Sequence, residues 1–248
     1  MKILAMDSSG LTASIAVVEE DNLIAEYTIQ YKKTHSQTLL PMLEEITKMV
    51  ELDMHTIDAI AVAAGPGSFT GLRIGSATAK GLGFALQKPL IGIPTLEGLA
   101  YNMYGTNLLV CPIMDARRGQ VYAGIYEFAE ASSEYAQKNR GYRLQTIEAQ
   151  CALTMDELID KLNRIDRNVI FVGDGIPVFS EKIAYKLRVA YHLAPAHRNR
   201  QSASSIAALA QIYFTEGKIE TAEEHQPNYL RLSQAERERM EKEQHDTI

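Results

Sequence analysis

The sequence predicts an α/β fold in which the order βββαβαβα occurs twice. Three observations carry this prediction. Short strand-like runs alternate with stretches of helical periodicity, the same order of eight elements returns in the second half, and Met6-Asp7-Ser8 is echoed by Met114-Asp115-Ala116 at the equivalent point. Residues 1–106 and 107–222 would then be two facing lobes, with a cleft between them into which the first turn of each lobe points. Residues 223–248 form a C-terminal segment, for which the N-terminal lobe is the surface to pack back on.

The elements follow in order. Met1 to Met6, Thr12 to Val18 and Asn22 to Tyr31 read as strands, separated by the turn at Asp7-Ser8-Ser9-Gly10 and the polar Glu19 to Asp21. From Ser36 to Leu52 the apolar residues Leu39, Leu40, Met42, Leu43, Ile46, Met49 and Val50 cover about half a helix circumference at about 100° per residue. Ala59 to Ala64 is a short apolar strand, Gly71 to Leu86 a helix, Leu90 to Ile93 a strand and Thr95 to Tyr104 a helix. The second round has strands at Leu108 to Met114, Gln120 to Phe128 and Tyr142 to Gln150, then a helix at Met155 to Asn163 and a strand at Val169 to Val172. A helix at Pro177 to Leu187, a strand at Arg188 to Leu193 and a helix at Ser202 to Glu216 complete it. Ala235 to Gln244, mostly charged, reads as a solvated terminal helix that frays.

Composition narrows the function classes. With 248 residues, 46% hydrophobic and 23% charged, the chain is of ordinary globular type, and a chain of this length buries roughly 70–75% of its unfolded surface without a disulfide or metal. Cys111 and Cys151 form neither a CxxC site nor a disulfide framework, so a reduced cytoplasmic location is expected. Asp7 follows only six residues of possible leader, and Gly and Pro break the longest uncharged runs, so neither a signal peptide nor a membrane span is expected. The net charge is −6; residues 216–248 hold nine acidic and five basic side chains, which leaves the remainder near −2. That is not the footprint of a protein that holds nucleic acid by itself.

Each chemical candidate stands beside a structural alternative. Gly65-Pro66-Gly67-Ser68-Phe69-Thr70-Gly71 follows a strand and opens a helix, where backbone N–H groups can meet an anion, but it matches neither GxGxxG nor a P-loop. A tight turn that needs glycine fits it better. Gly71, Gly75, Ala79 and Gly83 recur every four residues, leaving one helix face nearly bare. Each Gly costs about 1 kcal/mol of helix propensity, which either a partner helix or the chain's own sheet must offset. Asp7 and Asp115 are placed to hold a metal or activate a nucleophile, or simply to close turns; Gly173-Asp174-Gly175 is a ligand loop or a turn. The six histidines show no HxH or HxxxH spacing, and there is no GxSxG elbow.

Taken together, Met6-Asp7-Ser8-Ser9, Thr34-His35-Ser36-Gln37-Thr38-Leu39-Leu40-Pro41, the string from Gly65 to Gly75, and Pro227-Asn228-Tyr229-Leu230-Arg231 resemble the bacterial TsaB (YeaZ) family over residues 1 to about 232. The resemblance implies the two-lobed fold of sugar kinases, heat-shock ATPases and actin. It also implies support for N6-threonylcarbamoyladenosine formation at position 37 of ANN-decoding tRNAs, as partner of the related catalytic protein TsaD. TsaD-like proteins carry a metal-binding HxxxH on the helix after a Lys-Pro-Leu-type strand; here Thr95 and Leu99 stand at those positions. Leu11 and Thr12 replace their Asp-Glu pair.

The expectation is therefore a protein without catalytic residues, metal or cofactor of its own. Its partner interface would be formed by Leu39, Leu43, Ile46 and Val50 with Gly71, Gly75, Ala79 and Gly83, and Asp7, Asp115, Gly173 and Asp174 would line a vestigial ligand cleft. The resemblance further implies a heterodimer with TsaD, a larger assembly with TsaE and ATP, a homodimer in isolation, and tRNA contact mainly through partners. The competing expectation is an ATP-dependent small-molecule kinase or metal-dependent hydrolase that uses Asp7, Asp115 and Gly173 to Gly175. Fold resemblance alone licenses no activity.

Overall fold

A computed structural model describes residues 1–31, 33–131 and 141–231. The first half contains β1 (Lys2–Asp7), β2 (Ala13–Glu19), β3 (Asn22–Ile29), α1 (His35–Met49), β4 (Ala59–Gly65), α2 (Phe69–Leu86), β5 (Leu90–Pro94) and α3 (Thr95–Tyr101). The second contains β6 (Leu109–Asp115), β7 (Gln120–Glu130), β8 (Tyr142–Thr154), α4 (Met155–Ile165), β9 (Val169–Val172), α5 (Ile176–Lys186), β10 (Tyr191–Leu193) and α6 (Ala203–Thr215). The strand orders are β3-β2-β1-β4-β5 and β10-β9-β6-β7-β8, so both halves share one topology. In each, the first strand lies centrally, antiparallel to the second and parallel to the fourth.

Period-two alternation assigns each strand face its cover. On β1, Leu4 and Met6 face α1 and α2 together with Ile15, Ile60 and Val62, while Ile3 and Ala5 face α6. The α6 side is rich in alanine: Ala5, Ala16, Ala59, Ala61 and Ala63 meet Ala203, Ala207 and Ala210, which lets the helix lie close to the sheet. In the second sheet, Leu109, Cys111 and Ile113 pack beneath α4 and α5. Its other face, with Val110, Met114, Tyr126 and Val172, is covered by Leu96, Leu99, Ala100 and Met103 of α3 and its continuation. The last helix of each half thus serves the opposite sheet, and α3 and α6 pack against one another.

Local signals set the helix ends. Ser68 Oγ accepts from the Gly71 N–H at 3.3 Å at the start of α2, and Gln87 closes its end in the left-handed region. α4 starts in a capping box, in which the Thr154 hydroxyl accepts from the Glu157 N–H and the Glu157 carboxylate accepts from the Thr154 N–H. α1 ends at Met49, short of the expected Leu52, because Glu51 turns left-handed and the Leu52 N–H closes on the Thr47 carbonyl at 2.9 Å. β10 is shorter than expected, three residues, and β8 runs on to Thr154. The terminal helix expected at Ala235 to Gln244 lies outside the described residues.

The proposed partner face requires correction. Leu39, Leu43 and Ile46 are buried in the chain's own core, with Val50 packed against it. The small-residue row also turns inward. A Cβ on Gly71 would meet the Ser8 carbonyl oxygen at 2.0 Å, one on Gly75 the Ser8 Oγ at 2.6 Å, and one on Gly83 the Leu90 Cδ1 at 2.4 Å, while Ala79 is fully buried. The row offsets its propensity cost within the chain, so seven of these eight residues are buried and only Val50 is half-exposed. The outward sides of the same helices carry Leu40, Met49, Ala77, Gly81, Phe84 and Ala85.

A direct comparison follows from this inversion. Ala79→Leu overfills a closed site at about 1–3 kcal/mol, which for a chain of this size lowers the melting temperature by roughly 2–12 °C. Ala77→Leu, two residues away on the exposed side, is expected to stay within about 0.5 kcal/mol of the parent. Thermal melts followed by circular dichroism compare them.

Candidate functional site

The turns after β1 and β6 face a cleft of about 680 Å³ between the two sheets. Its lining draws on Ser9 to Leu11, Lys33 to His35, the loop from Gly67 to Leu72, Met114 to Arg117, Asp174, and Tyr229 to Arg231. Six chain-distant stretches therefore converge there, among them the turns after β1, β4, β6 and β9 that the doubled topology brings together.

On the first side the space nearest the strand ends is occupied by protein. The Ser68 N–H donates to the Ser9 carbonyl at 2.7 Å, and a Cβ on Gly67 would strike that same oxygen at 2.3 Å. The Ser8 hydroxyl donates to the Gly71 carbonyl at 2.8 Å. The loop glycines therefore allow the helix start and the first turn to touch, as expected of a tight turn. Asp7 is buried beneath this contact and does not line the cleft. Its carboxylate accepts from the Ser9 N–H at 2.8 Å and the Ser9 hydroxyl at 2.6 Å. Burial lifts its pKa to about 6 despite these bonds, which pull it down.

The second side differs. Asp115 borders the cleft and accepts from the Arg117 N–H at 2.8 Å, with the Arg117 guanidinium 3.2 Å from its other oxygen. Asp174 accepts from the Asp115 N–H at 3.3 Å, and burial raises its carboxyl above the ordinary range. Gly173 adopts a φ of 119°, and a Cβ there would meet the Ile113 carbonyl at 2.2 Å, so this turn needs glycine. Its N–H donates to Asn199 Oδ1 at 2.7 Å. The structure thus brings Asp115 and Asp174 together and leaves Asp7 in a separate hydrogen-bonded turn.

The positions compared with HxxxH are built into the core. Thr95 is fully buried and its hydroxyl accepts from the Gly65 N–H at 3.1 Å; Leu99 packs with Leu96, Val110 and Met114. Leu11 is exposed and Thr12 buried. Among the described residues, no three His, Cys, Asp or Glu side chains are grouped to hold a metal. Also among the described residues, no helix is long and apolar enough to cross a membrane.

Several long-range polar ties are not legible in the sequence, and of these the His35 tie is at the cleft. His35 Nε2 lies 2.8 Å from the Gly10 carbonyl, tying the start of α1 to the first turn. Gln150 Nε2 donates to the Gly65 carbonyl at 3.1 Å from β8. Arg200 donates to Gln30 Oε1 at 3.2 Å and to the Gly173 carbonyl at 3.4 Å. None of these sits in a periodic pattern, and their partners are 25 to 170 residues away in sequence.

Two facing sheets of one topology, each with its first turn at a shared cleft, define the two-lobed class to which sugar kinases, heat-shock ATPases and actin belong. The profile of the family described as TsaD, tRNA N6-adenosine threonylcarbamoyltransferase, matches residues 22–239. The tRNA threonylcarbamoyladenosine biosynthesis protein TsaB of Bacillus subtilis (strain 168) is 34% identical over 238 residues, covering 95% of this chain and 96% of that protein. The TsaB of Escherichia coli (strain K12) is 29% identical over 236 residues, covering 93% and 95%. The solved structure of YeaZ from Pseudomonas aeruginosa aligns with a TM-score of 0.72 at 26% identity, over 92% of this chain and 99% of that one. The chain belongs to the TsaB (YeaZ) family.

The buried carboxyl makes a pH prediction. Between the ordinary aspartate value of 3.8 and about 6, the folded chain retains the Asp7 proton that the unfolded chain has lost, so stability falls as pH rises through that window. Asp7→Asn keeps an oxygen for Ser9 and has no proton to lose. Its unfolding free energy relative to the parent is expected to rise by roughly 2–3 kcal/mol from pH 4 to pH 7, measured by urea melts across that range.

Proposed function

We propose that this chain is a noncatalytic partner of a TsaD-type threonylcarbamoyltransferase, required for N6-threonylcarbamoyladenosine formation in tRNA. The observation that carries this reading is the use made of Thr95 and Leu99. One hydroxyl holds the Gly65 N–H and one leucine fills the core, so neither offers a metal the lone pairs it needs. The names of the relatives from Bacillus subtilis and Escherichia coli, both threonylcarbamoyladenosine biosynthesis proteins, support the process.

The docking face in this reading is the outer side of α1 and α2. Leu40, Met49 and Phe84 are 55%, 76% and 61% exposed. Beside Phe84 on α2, Ala77, Gly81 and Ala85 form an exposed row of small residues. Large apolar anchors beside a low surface suit a close helix-on-helix contact, which would place the equivalent helices of TsaD against these two. A second copy of this chain can use the same face in isolation, and TsaE with ATP would complete a larger assembly.

The Asp115 and Asp174 pair favours the kinase or hydrolase alternative to the extent that it places two carboxylates at the cleft. Arg117 already holds one of them.

The two readings part experimentally. The purified chain is expected to show neither ATP hydrolysis nor threonylcarbamoyl transfer alone; magnesium-dependent turnover that Asp115→Asn abolishes would establish the alternative. Leu40→Glu and Phe84→Glu are each expected to weaken TsaD binding about 10- to 100-fold, or roughly 1.4–2.8 kcal/mol, with unchanged melting. Calorimetric titration of the partner against each variant measures this, and parental affinity in both would remove this face from the interface.

A further inference from the structure

The segment after α6 is an irregular strap that leaves the first sheet and ends on the second. Leu90 and Glu220 exchange two backbone hydrogen bonds, at 2.8 and 2.9 Å, which adds a short rung to the edge of β5. Ala222 then packs beside Gly83 of α2. Lys80 of α2 donates to the carbonyls of Glu223 and His225 at 3.2 and 3.0 Å. The Asn228 N–H donates to the Ala64 carbonyl at 2.6 Å, and the Tyr229 ring lies 4.7 Å from that of Phe69, over which the Arg73 guanidinium is also stacked at 4.0 Å. Every one of these contacts is with β4, β5 or α2. The next anchor is different: the Arg231 guanidinium donates to the carbonyl of Ala116, in the turn after β6.

We propose that residues 219–231 are a latch across the cleft, with Arg231 as its bolt, and that the latch sets how far the two sheets stand apart at the cleft mouth. Apart from the strap, the sheets are held together by apolar packing of α3 and α6 between them, which serves as the hinge. Other polar ties cross as well, from Gln150 to Gly65 and from Arg200 to Gln30 and Gly173. Gln150 belongs to a strand and Arg200 leads into α6, so each is fixed to a packed element. Arg231 rides on the strap and, among the described residues, its hydrogen bond is to one backbone carbonyl, so it releases without disturbing either sheet. A charged donor gives that bond more strength than a neutral one would. Tyr229, clamped on Phe69, aims the strap at Ala116 and so couples the first turn of α2 to the width of the cleft.

Distances between two spin labels test the latch. The exposed Cys151 on β8 takes one label, Glu44→Cys on α1 takes the other, and the buried Cys111, whose thiol burial keeps protonated, does not react. In the full-length chain the expected result is one narrow distance distribution. Arg231→Ala and Tyr229→Ala should each shift it to longer distance and broaden it, with melting temperatures close to that of the parent. Arg117→Ala, which removes a cation at the same mouth without crossing the cleft, should leave it unchanged. Parental distributions in Arg231→Ala or Tyr229→Ala would overturn the latch, as would an equal shift in Arg117→Ala.

Discussion

The fold rests on an exchange of helices. Neither sheet covers its own inner face: α6, the last helix of the second half, seals the first sheet, and α3, the last of the first half, seals the second. The two helices also pack on each other, so the halves share one apolar seam. Burial at about 25 cal/mol per Å² of apolar surface makes such a seam costly to open. The halves therefore do not fold as independent units, and the cleft is the side of the molecule the seam leaves unfilled.

Within that frame the two sides of the cleft have diverged. On the first, the glycines at 67, 71 and 75 bring α2 so near that backbone and serine hydroxyls of the first turn occupy the space at the strand ends. On the second, Gly173 makes a left-handed turn and two carboxylates stay beside open space. One topology thus yields a closed turn and an open one, and the difference lies in the side chains that fill them. The buried Asp7, whose carboxyl pKa burial raises, belongs to the closed turn, where it accepts from Ser9.

Much of this architecture could be read from residue order, because burial imposes a period on every element that lines a core. The apolar run of β1 and the stripe on α1 announce their elements, and the Met-Asp-Ser and Met-Asp-Ala echo aligns the halves. Direction was less legible. A row of small residues records that something approaches closely and carries no mark of whether that neighbour is a sheet or another molecule. On α1, Leu39, Leu43 and Ile46 satisfy the core while Leu40 and Met49, in the same apolar run, face outward. The strap was invisible to periodicity because it has no repeating geometry: its hold comes from carbonyls and single side chains such as Lys80, whose partners lie some 140 residues away. The Asp7 and Asp115 equivalence holds as topology, but their surroundings differ: Asp7 is buried on Ser9, while Asp115 borders the cleft beside Arg117.

One consequence concerns how α2 carries load. Ser8 grips its first turn at the Gly71 carbonyl, and Leu90 with Ala222 fills the notch at Gly83 one pitch from its end. Notches at both ends oppose sliding along the axis or rolling about it, because either motion would drive the Ser8 backbone or the Leu90 and Ala222 side chains into the glycine positions. A force applied to its outer side therefore has no soft local route, and the helix behaves as a keyed shaft that can move only together with the sheet beneath it.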